Sequence, residues 1–175
     1  MGSEMCIRDR LSASYSDDKI AWYESDGAAD PSFTARTIAT SADGAYSVYA
    51  ADIDNDGDMD VLSASTNDDK IAWYESDGAA DPSFTARTIT TSADGARSVY
   101  AADVDNDGDM DVLSASANDD KIAWYENDGA ADPSFTARTI SKSADNAQSV
   151  YATDIDNDGD MAVSYTHLRA HETDS

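Results

Sequence analysis

Nine residues, Asp103-Val-Asp-Asn-Asp-Gly-Asp-Met-Asp111, place carboxylates at the first, third, fifth, seventh and ninth positions of one short stretch, with Gly108 at the sixth. A hard cation such as calcium takes six to eight oxygen ligands at about 2.3–2.6 Å, drawn from carboxylates, backbone carbonyls and water. Alternating Asp on a sharply turning backbone supplies such a shell, and Gly108 permits the turn because glycine tolerates positive φ. Asp103, Asp105, Asp107 and Asp111 are the expected side-chain ligands, and Asp109 is expected to offer its carbonyl. The arrangement recurs at Asp52, Asp54, Asp56, Asp58 and Asp60. It recurs again at Asp154, Asp156, Asp158 and Asp160, where Ala162 takes the ninth position.

Asp, Asn and Gly are also ordinary turn residues, so a solvated acidic turn is the plain alternative. Five carboxylates within nine residues repel one another unless a cation neutralises them, which favours the metal. An EF-hand would need a bidentate Glu at position 12 and flanking helices. Position 12 is Ser63 or Ser114, and the flanks read as strands. These are not EF-hands.

The loops must be positioned by whatever repeats with them. Trp22, Trp73 and Trp124 are 51 residues apart, as are Asp52, Asp103 and Asp154. Within one unit, strand-like runs at 98–102, 111–116, 121–126 and 135–140 are separated by turn signals such as Asn118-Asp-Asp120 and Asn127-Asp-Gly129. Roughly 50 residues with four strands is the size of one β-propeller blade. The fold expected is all-β, with repeated four-stranded antiparallel blades forming a partial β-propeller of about three blades. Alternation along 121–126 sends Ile122 and Trp124 one way and Ala123 and Tyr125 the other. Large groups on one face and small ones on the other suit sheets packed face to face about 10 Å apart. Trp124 and Tyr125 are therefore expected in the core between blades, with a sugar-binding groove as the alternative. Met59, Met110 and Met161 are expected to pack inward. Arg97, equivalent to Tyr46 and Gln148, is expected to be a solvated loop residue.

The ends read differently. Residues 1–10 (MGSEMCIRDR) and 163–173 (VSYTHLRAHET) share nothing with the repeat and resemble translations of a transposase-type sequencing adapter. A GAT codon cut after its first base and completed by adapter CT reads GCT, which would turn the Asp expected at 162 into Ala162. Residues 1–10 and 163–175 are thus expected to be non-native. Residues 11–162 hold the repeats, at about 11–45, 46–96 and 97–147, with another starting at 148–162. They are expected to be a piece of a longer reading frame. Cys6, His167 and His171 all fall in the suspect ends. The repeats then lack the residues for Cys–His or Ser–His–Asp catalysis, zinc sites and disulfides.

The chain carries 36 acidic against 11 basic residues, a net charge of −25, and fourteen of the acids sit in the three loops. Nucleic acid and anionic membrane surfaces are poor partners for it, and no apolar run has the length of a membrane span.

These features resemble the FG-GAP/VCBS repeat family, which includes bacterial surface and secreted proteins and the integrin α-subunit propeller. The resemblance rests on the DxDxDGxxD loops, on Val61-Leu-Ser-Ala-Ser65 after the loop, and on the DDKIAWYE run in all three units. It implies calcium on one side of each blade and an extracellular or cell-surface location. Where family members have Gly-Ala-Pro this chain has Ser63-Ala64-Ser65, and Ala96-Arg97 replaces Phe-Gly. The match is closer to the bacterial variant, and no integrin-like ligand follows from it. The function expected is a calcium-binding extracellular repeat module with a structural, adhesion or ligand-binding role, taking a carbohydrate or protein ligand. The alternative is a non-catalytic or carbohydrate-binding propeller part of a secreted enzyme. No non-repeating polar cluster suggests a catalytic centre, so the chain is not expected to be an enzyme.

Overall fold

The computed structural model describes residues 9–168, and every regular element within them is a β-strand. Residues 1–8 and 169–175, with Cys6 and His171, lie outside the described residues. The first sheet holds β1 (Arg10–Ser14), β2 (Lys19–Ser25) and β3 (Phe33–Ala39). The second holds β4 (Ala45–Ala51), β5 (Asp60–Ser65), β6 (Lys70–Ser76) and β7 (Phe84–Thr90). The third holds β8 (Ala96–Ala102), β9 (Asp111–Ser116), β10 (Lys121–Asn127) and β11 (Phe135–Ser141). A two-stranded sheet of β12 (Ala147–Thr153) and β13 (Ala162–His167) follows. Neighbours pair antiparallel in chain order, and the register repeats: Tyr49 faces Leu62 as Tyr100 faces Leu113. The expected partial set of propeller blades is what forms.

The second and third sheets bury both faces because each lies between two others. All six residues of β5 and of β9 are buried, serines included. Ser63 and Ser114 sit within hydrogen-bond reach of the Tyr74 and Tyr125 hydroxyls, at 3.4 and 3.2 Å. Between the second and third sheets, Leu62, Ile71 and Trp73 meet Val99, Val112 and Tyr125. Between the third and fourth, Leu113 and Ile122 meet Val150 and Ala152, with Trp124 alongside. Each sheet turns its Trp face to the following unit and its Tyr face to the preceding one, as the alternation expected. Trp73 and Tyr125 are buried there rather than open to a ligand.

The turn after each second strand locks one unit to the next. Asp69 and Asp120 adopt φ of 56° and 54°, a region Asp tolerates better than most residues. Their carboxylates accept hydrogen bonds from Gly95 N at 2.9 Å and Asn146 N at 2.8 Å, in the connectors that lead to the next sheet. Buried Ala93 and Ala144 fill the space behind those connectors.

Two expectations are corrected. Met59 is 59% exposed, whereas Met110 packs against the core between the second and third sheets. The difference lies in the preceding sheet: Met110 follows a four-stranded one, and Met59 follows one with three described strands. Arg97 lies on β8, not in a loop. Stacking aligns residues 51 apart, so its guanidinium sits 5.5 Å from the Tyr46 ring and Nη1 donates to Gln148 Oε1 at 2.8 Å.

Candidate metal centre

Each Asp-rich loop joins the first strand of a sheet to the second, so strand pairing fixes both ends. The backbone then turns at two left-handed residues, Asn55 (φ 58°) with Gly57 (φ 96°) and Asn106 (φ 62°) with Gly108 (φ 98°). The first Asp closes this turn from within. Asp52 Oδ2 accepts from Gly57 N, Asp103 Oδ2 from Gly108 N and Asp154 Oδ2 from Gly159 N, each at 3.0 Å.

The ninth Asp anchors the loop from beneath. Asp60 accepts from Ile53 N at 3.0 Å and from Ser76 N at 2.8 Å, one bond to each oxygen. Asp111 does the same with Val104 N at 3.0 Å and Asn127 N at 2.8 Å. One carboxylate thereby ties the loop to the third strand. Both Asp60 and Asp111 are buried.

Carboxylate oxygens of Asp52, Asp54 and Asp60 lie within 4.8 Å of one another, as do those of Asp103, Asp105 and Asp111, and of Asp154, Asp156 and Asp158. The fifth-position residues Asp56 and Asp107 are not in the first two groups. Their carboxylates accept from the Asp58 and Asp109 amides at 2.8 and 2.9 Å. The seventh-position side chains point elsewhere. A Cβ on Gly78 would lie 1.9 Å from Asp58 Oδ2, and one on Gly129 2.2 Å from Asp109 Oδ2, so a side chain at either would displace the carboxylate above it. Asp109 also accepts from Asn55 Nδ2 at 2.8 Å, and Asp160 from Asn106 Nδ2 at 3.2 Å, each across to the preceding loop.

The first, third and ninth residues fit a hard divalent cation. Asp52 Oδ1 and Asp154 Oδ1 are buried with no hydrogen-bond partner, and an unpaired buried anion is costly. Burial is also the main reason the carboxyls of Asp54, Asp60, Asp105 and Asp111 titrate above the usual carboxylate range. A cation would remove both penalties. All donors are oxygen, the set that selects calcium or magnesium over softer metals.

Sequence reasoning did not find the double anchoring by Asp60 and Asp111, nor the bridging by Asn55 and Asn106. The second had a signal, because Asn is among the few residues that enter left-handed backbone readily.

Four-stranded units of 51 residues, stacked face to face with an acidic loop at the same place in each, define a propeller-blade repeat protein. The FG-GAP-like repeat matches at residues 6–63, 54–114 and 111–163, and the chain belongs to that family. No curated protein matches the chain.

Proposed function

We propose that this chain is a calcium-binding, non-catalytic repeat module that acts outside the cell in adhesion, surface display or ligand binding. The observation that carries the calcium reading is the triad of Asp52, Asp54 and Asp60, repeated at Asp103, Asp105 and Asp111, with a buried unpartnered oxygen on Asp52. Asp52, Asp54 and Asp60 would hold the ion and their counterparts a second, with Asp58 and Asp109 offering carbonyls. Bound calcium supplies positive charge where the fold has gathered carboxylates, and so stiffens the link between the first two strands of each blade. The extracellular reading rests on family membership, and the calcium affinity expected with it is about 10⁻⁴–10⁻³ M.

Calorimetric titration of calcium into the full chain, beside an Asp54→Asn/Asp105→Asn variant, tests it. Asn keeps the shape at the third position and removes the charge. Heat saturating in the submillimolar to millimolar range for the native chain, and its loss in the folded variant, is the expected result. Equal heats from both proteins would exclude the triads as the site.

A further inference from the structure

We propose that Tyr49 and Tyr100, with Tyr151 beyond them, form an oxidative cross-linking site, at which a peroxidase and hydrogen peroxide join successive blades through a dityrosine bond.

The three tyrosines occupy the same position on the first strands of successive sheets, β4, β8 and β12. The Tyr100 ring centroid lies 4.7 Å from that of Tyr49 and 4.7 Å from that of Tyr151, with the ring planes inclined by 50° and 52°. The strands that carry them are tied side by side. Val99 N donates to Ser47 Oγ at 3.4 Å, and Val150 N donates to Ser98 Oγ at 3.2 Å. Tyr49 packs against the layer between the second and third sheets, and Tyr100 against the layer between the third and fourth. Backbone and ring are both held, so the approach that two free phenols must find by diffusion is already set. Tyr49 and Tyr100 are half-buried, which leaves part of each ring open to solvent.

Tyrosines elsewhere are placed differently. Tyr74 and Tyr125 are buried, with their hydroxyls against Ser63 and Ser114. Tyr15 and Tyr46 are each 49% exposed, but their centroids are 6.5 Å apart and the rings meet edge to face at 85°. They serve as an internal comparison.

Burial first, then the neighbouring hydroxyls of Tyr49 and Tyr151, raise the Tyr100 phenol, so it reacts in its neutral form. Each phenol gives one electron to the peroxidase and one proton to solvent. The two phenoxyl radicals join through the ring carbons beside the oxygens, and the hydrogens on those carbons move to the oxygens, restoring both phenols. The two electrons and two protons reduce one hydrogen peroxide to two waters. Residues 11–162 contain no cysteine, so disulfides cannot join these blades, whereas a tyrosine recurs at this position in each. The new bond spans residues 51 apart and restricts the unfolded chain as a disulfide would.

The test treats the dilute full chain with peroxidase and hydrogen peroxide and then digests it with trypsin. Tyr49, Tyr100 and Tyr151 fall in separate tryptic peptides, 37–70, 98–121 and 143–169. The expected product is a monomer with dityrosine fluorescence, in a yield independent of protein concentration, in which 98–121 is joined to 37–70 or 143–169 with the loss of two hydrogens. Tyr100 is the one tyrosine of 98–121. Tyr100→Phe keeps the ring and should lose these links, whereas Tyr46→Phe should keep them. The joined monomer should unfold at a higher urea concentration than the untreated chain. The absence of a link, links confined to dimers, links between Tyr15 and Tyr46 in place of those at Tyr100, dityrosine undiminished in Tyr100→Phe, or a joined monomer no more resistant to urea would overturn the proposal.

Discussion

At the scale of single residues, the ninth Asp of each loop is the most constrained carboxylate. Asp60 holds Ile53 N and Ser76 N at once, so its loss exposes two buried donors. Without calcium, Asp60→Ala should be less stable than Asp60→Asn by about 1–3 kcal/mol, because Asn still accepts one of those bonds. Urea unfolding in chelator measures the difference. The titration of these groups sets a pH dependence. Asp54, Asp60, Asp105 and Asp111 are raised in the folded state chiefly by burial. Their contribution is fully present below the unfolded value of about 3.9 and is lost as pH rises through the raised folded values. Asp26 and Asp77 are lowered, first by the Ser32 and Ser83 hydroxyls, and Asp128 first by the Ser134 amide. Their contribution is present above about 3.9 and lost as pH falls below it. Metal-free stability should therefore decline from the mildly acidic range toward neutrality, and calcium should offset that decline because it binds the ionised form. Thermal melts from pH 4 to 7 with and without calcium check both signs. A metal-free chain that gains stability toward neutrality would contradict them.

At the scale of the element, the inter-sheet layer holds the fold together. Trp73 is buried between two four-stranded sheets, whereas Trp22, on the first sheet, is half-buried. Trp73→Ala should cost about 3–5 kcal/mol, the range for a large aromatic removed from a core, and Trp22→Ala distinctly less. Equal losses in denaturant unfolding would mean that the two positions pack alike. This layer was legible in the sequence, because a 51-residue period of strands with large groups on one face and small ones on the other reads as stacked sheets. The strand bounds followed from turn residues, and β9 ran from Asp111 to Ser116 as expected. What escaped was contact between units. Arg97 reads as a lone charge until Tyr46 and Gln148 are brought beside it by stacking. The exposure of Met59 depends on the unit before it, which no local pattern encodes. Within the candidate site, spacing marked the first, third, fifth and ninth Asp, whereas the fifth lies outside the first two clusters, and it gave no sign that the seventh side chain lies over Gly78 or Gly129.

At the scale of the whole molecule, net charge and metal are linked. A chain at −25 gathers fourteen of its acids in three loops, so the folded state concentrates repulsion that the unfolded chain disperses. An ion that binds only the folded state stabilises it in proportion to the logarithm of its concentration above the dissociation constant. The most direct test is the melting temperature of the full chain across a calcium series, beside Asp54→Asn/Asp105→Asn. The account predicts a melt that climbs with calcium through the millimolar range, by about 2.7 kcal/mol per site at a hundredfold excess over the dissociation constant. The variant should be at least as stable as the native chain in chelator, because it carries fewer repelling charges, and should respond little to calcium. A folded native chain whose melt is flat across the series would make the three loops acidic turns and contradict the central claim.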